Sequence, residues 1–83
     1  MYYVYIISCS DKTLYTGITT DIVRRIKEHN GTKLGAKYTQ GRGPVKLMYS
    51  RRFRNRSNAS KEEIRIKGLN RANKLVLIEN NRR

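Results

Sequence analysis

The chain has 83 residues, 37% of them hydrophobic, and nineteen Lys and Arg against six Asp and Glu give it a formal net charge of +13. This length leaves room for one domain with one modest core, so a single domain over 1–83 is expected. A field of this sign attracts polyanions such as DNA, RNA or an anionic membrane. The longest apolar run, residues 2–7, is too short to cross a bilayer.

Neither a signal peptide nor a lipid-anchoring motif is expected from the sequence. Cys9 is the only cysteine, which excludes an internal disulfide and fits a reducing compartment. These features favour a cytoplasmic location, no membrane contact and nucleic acid as the partner.

The first predicted elements form a β-hairpin. Residues 2–7 are aromatic and β-branched, which is typical of a strand buried on both faces. Turn-forming residues follow at 10–12, and residues 14–18 favour a second strand. Thr20 or Asp21 then caps a first helix that ends at Asn30, before a glycine.

The second half of the chain predicts one strand and two helices. Residues 31–43 are rich in glycine and basic side chains and favour a mobile basic loop. Pro44 opens a third strand from Val45 to about Ser50. Ser57 is predicted to cap a second helix ending near Gly68, and Asn70 to cap a third. The order β-β-α-β-α-α predicts the α+β class, with a three-stranded antiparallel sheet flanked by helices.

The first helix carries candidate functional residues at the edge of its apolar stripe. That stripe is predicted to consist of Ile22, Val23 and Ile26. At about 100° per residue, Arg24 points away from the stripe, whereas Arg25 and His29 lie at its edge. Arg25 and His29 can therefore face the sheet, although a simple surface seam would look the same.

The second helix places two carboxylates near its inner face, which is predicted to consist of Ala59, Ile66 and Leu69. Glu62 and Glu63 both lie within reach of that face, where a carboxylate needs a cation or a hydrogen-bond partner. A salt bridge is the simpler explanation in so basic a chain. The helical phase slightly favours Glu62 as the inward one.

Two short motifs bring these signals together. Tyr3-Val4-Tyr5, followed by Tyr15-Thr16-Gly17, resembles the paired motif that names the GIY-YIG nucleases. Tyrosines on strands are otherwise mostly core residues, and a glycine at position 17 could merely ease the approach of a strand and a helix. Tyr3, Val4 and Thr16 depart from the family pattern, at positions that are structural in the strands.

The resemblance continues along the chain. Arg25 stands at the family's helix-arginine spacing, with His29 four residues later, and Glu63 matches the family's metal-binding glutamate through Ala59-x3-Glu63. The motif thus selects Glu63 over Glu62. The chain is most similar to a small single-domain bacterial subfamily of uncharacterised function.

The resemblance implies a metal-dependent endonuclease, structure-specific or nonspecific, that acts on DNA rather than RNA. Glu63 would hold Mg²⁺ or Mn²⁺, Arg25 would neutralise charge on the phosphate, and Tyr15 or His29 would assist proton removal from water. Tyr5 would orient that network. The alternatives are a non-catalytic nucleic-acid-binding module, targeted by a protein partner, and a small basic RNA-binding protein. The phosphate backbone would be held by the basic loop and by Arg51, Arg52, Arg54 and Arg56.

Overall fold

The computed structural model describes residues 1–31 and 44–81, and the predicted order of elements is confirmed. The elements are β1 (Tyr2–Ser8), β2 (Leu14–Thr19), α1 (Ile22–Gly31), β3 (Lys46–Phe53), α2 (Arg56–Lys67) and α3 (Arg71–Asn81). The predicted basic loop at 31–43 lies outside the described residues, except for Gly31 at the end of α1. No helix among the described residues is long and apolar enough to cross a membrane.

The sheet is antiparallel with the order β2-β1-β3, so β1 is its central strand. Val4, Tyr5, Ile6 and Ile7 of β1 are all buried, which confirms the prediction of a strand covered on both faces. Successive side chains of a strand point to opposite faces, so this one strand contributes to two packing layers. In the hairpin turn, Lys12 has a φ of 71° and Asp11 Oδ1 accepts hydrogen bonds from the backbone and hydroxyl of Thr13.

The two layers differ in composition. On what we call the α2–α3 face, one cluster is entirely apolar apart from a tyrosine: Val4, Ile6, Tyr49, Ala59, Ile66 and Ile78. On the other side, the α1 face, the cluster is Tyr5, Ile7, Cys9 and Val45, with Tyr15, Ile22 and Ile26 packed against it. Val23 does not join this stripe as predicted. It is 67% exposed, because it lies about 100° around the helix from Ile22 and points away from the sheet.

The helix starts follow side-chain capping. Asp21 Oδ1 accepts the backbone N–H of Arg24 at 3.0 Å, so Asp21 caps α1 rather than Thr20. Asn55, not the predicted Ser57, caps α2, with its Oδ1 accepting from the backbone of Asn58 at 2.9 Å. Ser57 was the wrong choice because asparagine is an equally good cap and stands two residues earlier. The predicted cap of α3 at Asn70 is confirmed.

The end of α1 is tied to the start of β3 by one side chain. Asn30 Oδ1 accepts the backbone N–H of Val45, and its Nδ2 donates to the Val45 carbonyl at 3.4 Å. The amide thus forms the pair of hydrogen bonds that a neighbouring strand would form. This contact fixes the last turn of α1, and with it His29, against the sheet.

Candidate active site

The centre of the α1 face is a buried phenol beside two residues of α1. Tyr5 is 1% exposed, and its Oη lies 2.9 Å from Nε2 of His29. Burial raises the pKa of Tyr5, and the neighbouring Arg25 opposes this only partly. Tyr5 is therefore a neutral phenol at pH 7. Because Tyr5 stays protonated and the pKa of His29 is lowered, the phenol donates its proton to Nε2 of the neutral imidazole.

Tyr15 completes a triangle of rings. Its ring centroid lies 5.4 Å from that of His29 and 6.4 Å from that of Tyr5, and the Tyr5 and His29 centroids are 5.9 Å apart. Tyr15 is half-buried, whereas Tyr5 and His29 are buried. Edge-to-face packing of this kind restrains each ring. Tyr15 is thus the ring of the three that is most open to an incoming molecule.

His29 is held in its neutral form. Burial lowers its pKa from the usual value of 6.5, and the charge of Arg25 lowers it further, while Glu28 acts in the opposite direction. A neutral imidazole can accept the proton of Tyr5 at Nε2, which fixes the ring proton at Nδ1. The hydrogen bond and the lowered pKa therefore agree with each other.

The two adjacent arginines of α1 differ in burial. The side chain of Arg25 is 24% exposed and donates to Glu28 at 2.9 Å, whereas that of Arg24 is 61% exposed and lies 3.8 Å from the same carboxylate. The helical phase predicted this difference. Glu28, which sequence analysis did not single out, accepts a hydrogen bond from Arg25 and holds its guanidinium. Its i,i+3 spacing from Arg25 was the signal that could have identified it.

The two adjacent glutamates of α2 also differ. Glu62 accepts from Arg65 at 2.7 and 2.9 Å and from Arg51 at 3.4 Å, and the hydrogen bond from Arg65 is the main reason that its pKa is lowered. Glu63 lies 3.5 Å from Lys67 and is half-buried, with 21% of its side chain exposed. The helical phase placed Glu62 further inward, and it serves there as an ion-pair residue.

Glu63 acts on the α1 face although α2 packs on the other face. Its negative charge contributes to the raised pKa of Tyr5. The buried stripe of α2, Ala59 and Ile66, separates the flank of Glu62 from the flank of Glu63. Since Glu62 pairs with Arg51 of β3, the opposite flank is the one next to the far edge strand, β2. Glu63 therefore lies on the flank of α2 that is turned toward the β2 edge of the sheet.

Gly17 of β2 makes room for the Tyr5 ring. A Cβ atom at this position would stand 2.5 Å from Tyr5 Oη and 2.7 Å from Cζ. The space is therefore required by a side chain of the adjacent strand, and not by the approach of a helix as first interpreted. Gly17 is the cross-strand partner of Tyr5, so the two motifs meet at this contact.

The donor set fits a hard cation with few protein ligands. Among residues 1–31 and 44–81, no three His, Cys, Asp or Glu side chains group closely enough to hold a metal ion by themselves. Mg²⁺ is commonly bound through one or two carboxylates, with water and substrate phosphate as the other ligands. A half-buried carboxylate such as Glu63, whose ion pair with an exposed lysine is long, suits such an ion.

Five residues predicted from sequence thus relate to one place in the fold. Tyr5, Tyr15 and His29 meet through one direct hydrogen bond and their ring contacts. Arg25 and Glu63 influence the pKa of the same phenol. Arg51 and Arg52, in contrast, do not share a surface: they pair with Val4 and Tyr3 of β1, so their side chains point to opposite faces.

Comparisons with known proteins agree with this geometry. Residues 1–76 match the family model described as the GIY-YIG catalytic domain. A UPF0213 protein of Desulfotalea psychrophila is 53% identical over 94% of this chain and 71% of its own length, and one of Halobacterium salinarum is 53% identical over 93% and 99%. The solution NMR structure of a Bacillus halodurans UPF0213 protein is similar with a TM-score of 0.62 and 45% identity, covering 95% of this chain and 84% of that one.

Proposed function

We propose that this chain, which belongs to the GIY-YIG family, is a metal-dependent endonuclease that hydrolyses phosphodiester bonds in DNA. Membership places it in a nuclease superfamily. The observation that carries the proposal is the hydrogen-bonded pair of Tyr5 and His29 beside the Tyr15 ring, with the charges of Arg25 and Glu63 acting on the same phenol. A merely structural cluster would not require an arginine and a carboxylate at a polar, partly open rim.

Arg25 has the position required to stabilise developing negative charge. Glu28 holds its guanidinium by a hydrogen bond of 2.9 Å, and a quarter of the side chain is open to solvent. Pre-organised donors contribute more than mobile ones because no reorganisation is needed during the reaction. We assign Arg25 to the non-bridging oxygens of the reacting phosphate.

Proton removal from water is best assigned to the partly exposed ring. As the water oxygen bonds to phosphorus, its proton passes to the Tyr15 oxygen, and the Tyr15 hydroxyl proton is released to solvent. The bond from phosphorus to the leaving oxygen breaks, and that oxygen takes a proton from solvent. Tyr5 and the neutral His29, which are buried and hydrogen-bonded to each other, hold the Tyr15 ring in place.

Glu63 is the residue that would hold Mg²⁺ or Mn²⁺. When bound, such an ion neutralises charge on the phosphate oxygens and helps to orient the substrate. The net charge of +13 supports DNA as the partner through its phosphate backbone, with little dependence on base sequence.

The decisive experiment is a cleavage panel of flap, fork, junction and duplex DNA with Mg²⁺ or Mn²⁺, using the wild type and Glu63→Ala. We expect metal-dependent cutting of at least one substrate by the wild type and none by the variant. Circular dichroism and thermal unfolding of both proteins show whether the variant remains folded. Equal cutting by the two proteins would contradict the assignment of Glu63.

A non-catalytic DNA-binding module is the second candidate, and the small number of metal-ligating side chains in the described residues favours it. It predicts tight, salt-sensitive binding with no cutting of any substrate in the panel. A Mn²⁺ titration adds a further test, because the endonuclease requires metal binding that depends on Glu63, whereas a non-catalytic module or a purely basic RNA-binding protein does not.

A further inference from the structure

The flank of α2 that carries Glu63 has other polar residues in line with it. Residues 56, 60, 63 and 67 follow the spacing of one helical face, and they are Arg56, Ser60, Glu63 and Lys67. We call this row the Glu63 stripe. Arg56 and Lys67 are exposed, whereas Ser60 and Glu63 are half-buried. The stripe therefore presents a carboxylate set low between two protruding cations.

The stripe borders the candidate site at the β2 edge of the sheet. Glu63 lies on the flank of α2 that is turned toward this edge, and the ring of Tyr5 lies over Gly17 of β2. At about 1.5 Å of rise per residue, Lys67 lies about 6 Å further along α2 than Glu63. That distance is comparable with the separation of neighbouring phosphates on one strand of nucleic acid.

The opposite edge of the sheet is less suited to this role. Arg51 of β3 is committed to Glu62 at 3.4 Å and to the ring of Phe53, whose centroid lies 5.2 Å from its guanidinium carbon. It also points to the α2–α3 face, away from Tyr5. Basic residues beside β2 are therefore better placed for a phosphate backbone that passes through the site.

From this placement we propose that the nucleic acid backbone lies along the Glu63 stripe, with Lys67 binding the phosphate next to the one at Glu63. In the free protein Lys67 is paired with Glu63 at 3.5 Å. When a cation binds Glu63 and a phosphate binds Lys67, the ion pair between these two residues would be replaced by two new ion pairs. Lys67 thus opposes metal binding in the free protein and supports substrate binding. The inference rests on the proposed function.

Lys61 provides a matched control, because it is an exposed lysine on the same helix and points about 120° away from Lys67. We would measure binding of a fluorescent DNA duplex by anisotropy at several salt concentrations, with a fixed concentration of Ca²⁺ in place of Mg²⁺ or Mn²⁺, so that a cation can occupy Glu63 while cutting is suppressed. Lys67→Gln should reduce the slope of log K against log salt by about 0.9, the contribution of one phosphate contact. Lys61→Gln should leave the slope unchanged.

A Mn²⁺ titration without DNA provides the second readout. Lys67→Gln should bind Mn²⁺ a few-fold more tightly than the wild type, because a competing positive charge is removed, and Lys61→Gln should not. Equal salt slopes for the two variants, weaker Mn²⁺ binding by Lys67→Gln, or no binding of the duplex by the wild type would overturn the inference. Cutting that depends on Glu63, with identical Lys67 and Lys61 variants, would overturn the inference alone and leave the nuclease assignment standing. A wild type that never cuts, with the expected difference in slope, would overturn the nuclease assignment and leave the binding surface.

Discussion

The two faces of the sheet use polar side chains differently. On the α2–α3 face, Glu62 is enclosed by Arg65 and Arg51 at the margin of an apolar cluster. On the α1 face, the neutral Tyr5 and His29 are buried and hydrogen-bonded to each other, with Arg25 close enough to affect the pKa of both. On the α2–α3 face, opposite charges therefore pair with each other. On the α1 face, the buried hydrogen-bonded groups lie next to a partly exposed surface.

This difference between the two faces shows that burial of a charged residue is a poor guide to function in this chain. The more buried of the two glutamates, Glu62, forms ion pairs, and the more open one, Glu63, acts on the site. For Arg24 and Arg25 the order is reversed, because the less exposed residue is the one whose charge affects the pKa of Tyr5. What separates each pair is which face of the sheet the side chain can reach.

The largest expected difference between the faces comes from the adjacent glutamates. Glu63→Gln should reduce cleavage to background because it removes the charge that holds the cation, and it should leave stability unchanged. Glu62→Gln should keep cleavage but lower the free energy of unfolding by about 1–2 kcal/mol, since its arginine partners are partly screened by solvent. Cleavage assays and urea titrations of both variants measure this. A stable, inactive Glu62→Gln would reverse our assignment of the two faces.

The adjacent arginines of α1 give the next largest effect. Arg25→Ala should slow cleavage by about 10³ or more, because an arginine on a transferring phosphoryl group contributes on this order. Arg24→Ala should change the rate less than about threefold, as expected for an exposed ion pair. Single-turnover rates at saturating protein compare the two. Equal losses would mean that both arginines act only through the overall charge.

The α1 face should also respond to pH, because His29 is the only histidine of the chain. Its pKa in the folded state is lowered from 6.5, chiefly by burial, so the unfolded chain takes up a proton first as the pH falls. Stability should therefore decrease from pH 6.5 downward until the folded-state pKa is reached, and then level off. Urea titrations between pH 7.5 and 5.5 measure it, and the His29→Gln variant should lack this component. A wild type that gains stability toward pH 5.5 would show that the imidazole is charged in the fold.

The smallest effect concerns the α2–α3 face alone. The Thr16 hydroxyl is buried and has no hydrogen-bond partner among the described residues. Thr16→Val should raise the free energy of unfolding by about 1 kcal/mol, because a desolvated hydroxyl is replaced by a methyl group of similar size. Cleavage should not change. Thermal unfolding and the cleavage assay test this, and a destabilised variant would indicate a partner, such as water, for this hydroxyl.

Much of this architecture was predictable from local signals. The hairpin, the buried central strand and the third helix cap follow from residue types and turn chemistry, which act over a few residues. The α2 cap was missed because several good capping residues stand close together, and tertiary packing selects among them. Val23 was misplaced because it lies about 100° around the helix from Ile22, which carries it away from the sheet.

The site was predictable only in part. The family resemblance supplied the five residues, and the helical phase separated Arg25 from Arg24. The hydrogen bond between Tyr5 and His29 could not be foreseen, because it joins residues 24 apart through the packing of α1 on the sheet. Likewise, the position of Glu63 at the β2 edge could not be foreseen, because it depends on how α2 lies across the other face of the sheet.

The space that Gly17 leaves for the Tyr5 ring should restrict which residues can occur together at positions 5 and 17. The Gly17 backbone has no left-handed φ, so alanine would be acceptable there if the phenol of Tyr5 were elsewhere. With Tyr5 in place, even one methyl group would push the ring off His29. Residues 5 and 17 should therefore vary together among relatives: chains that keep the tyrosine should keep glycine, and chains that replace it by a smaller side chain should be released from that restriction. The tyrosine ring at position 5 and the space that glycine leaves for it at position 17 would then be inherited together.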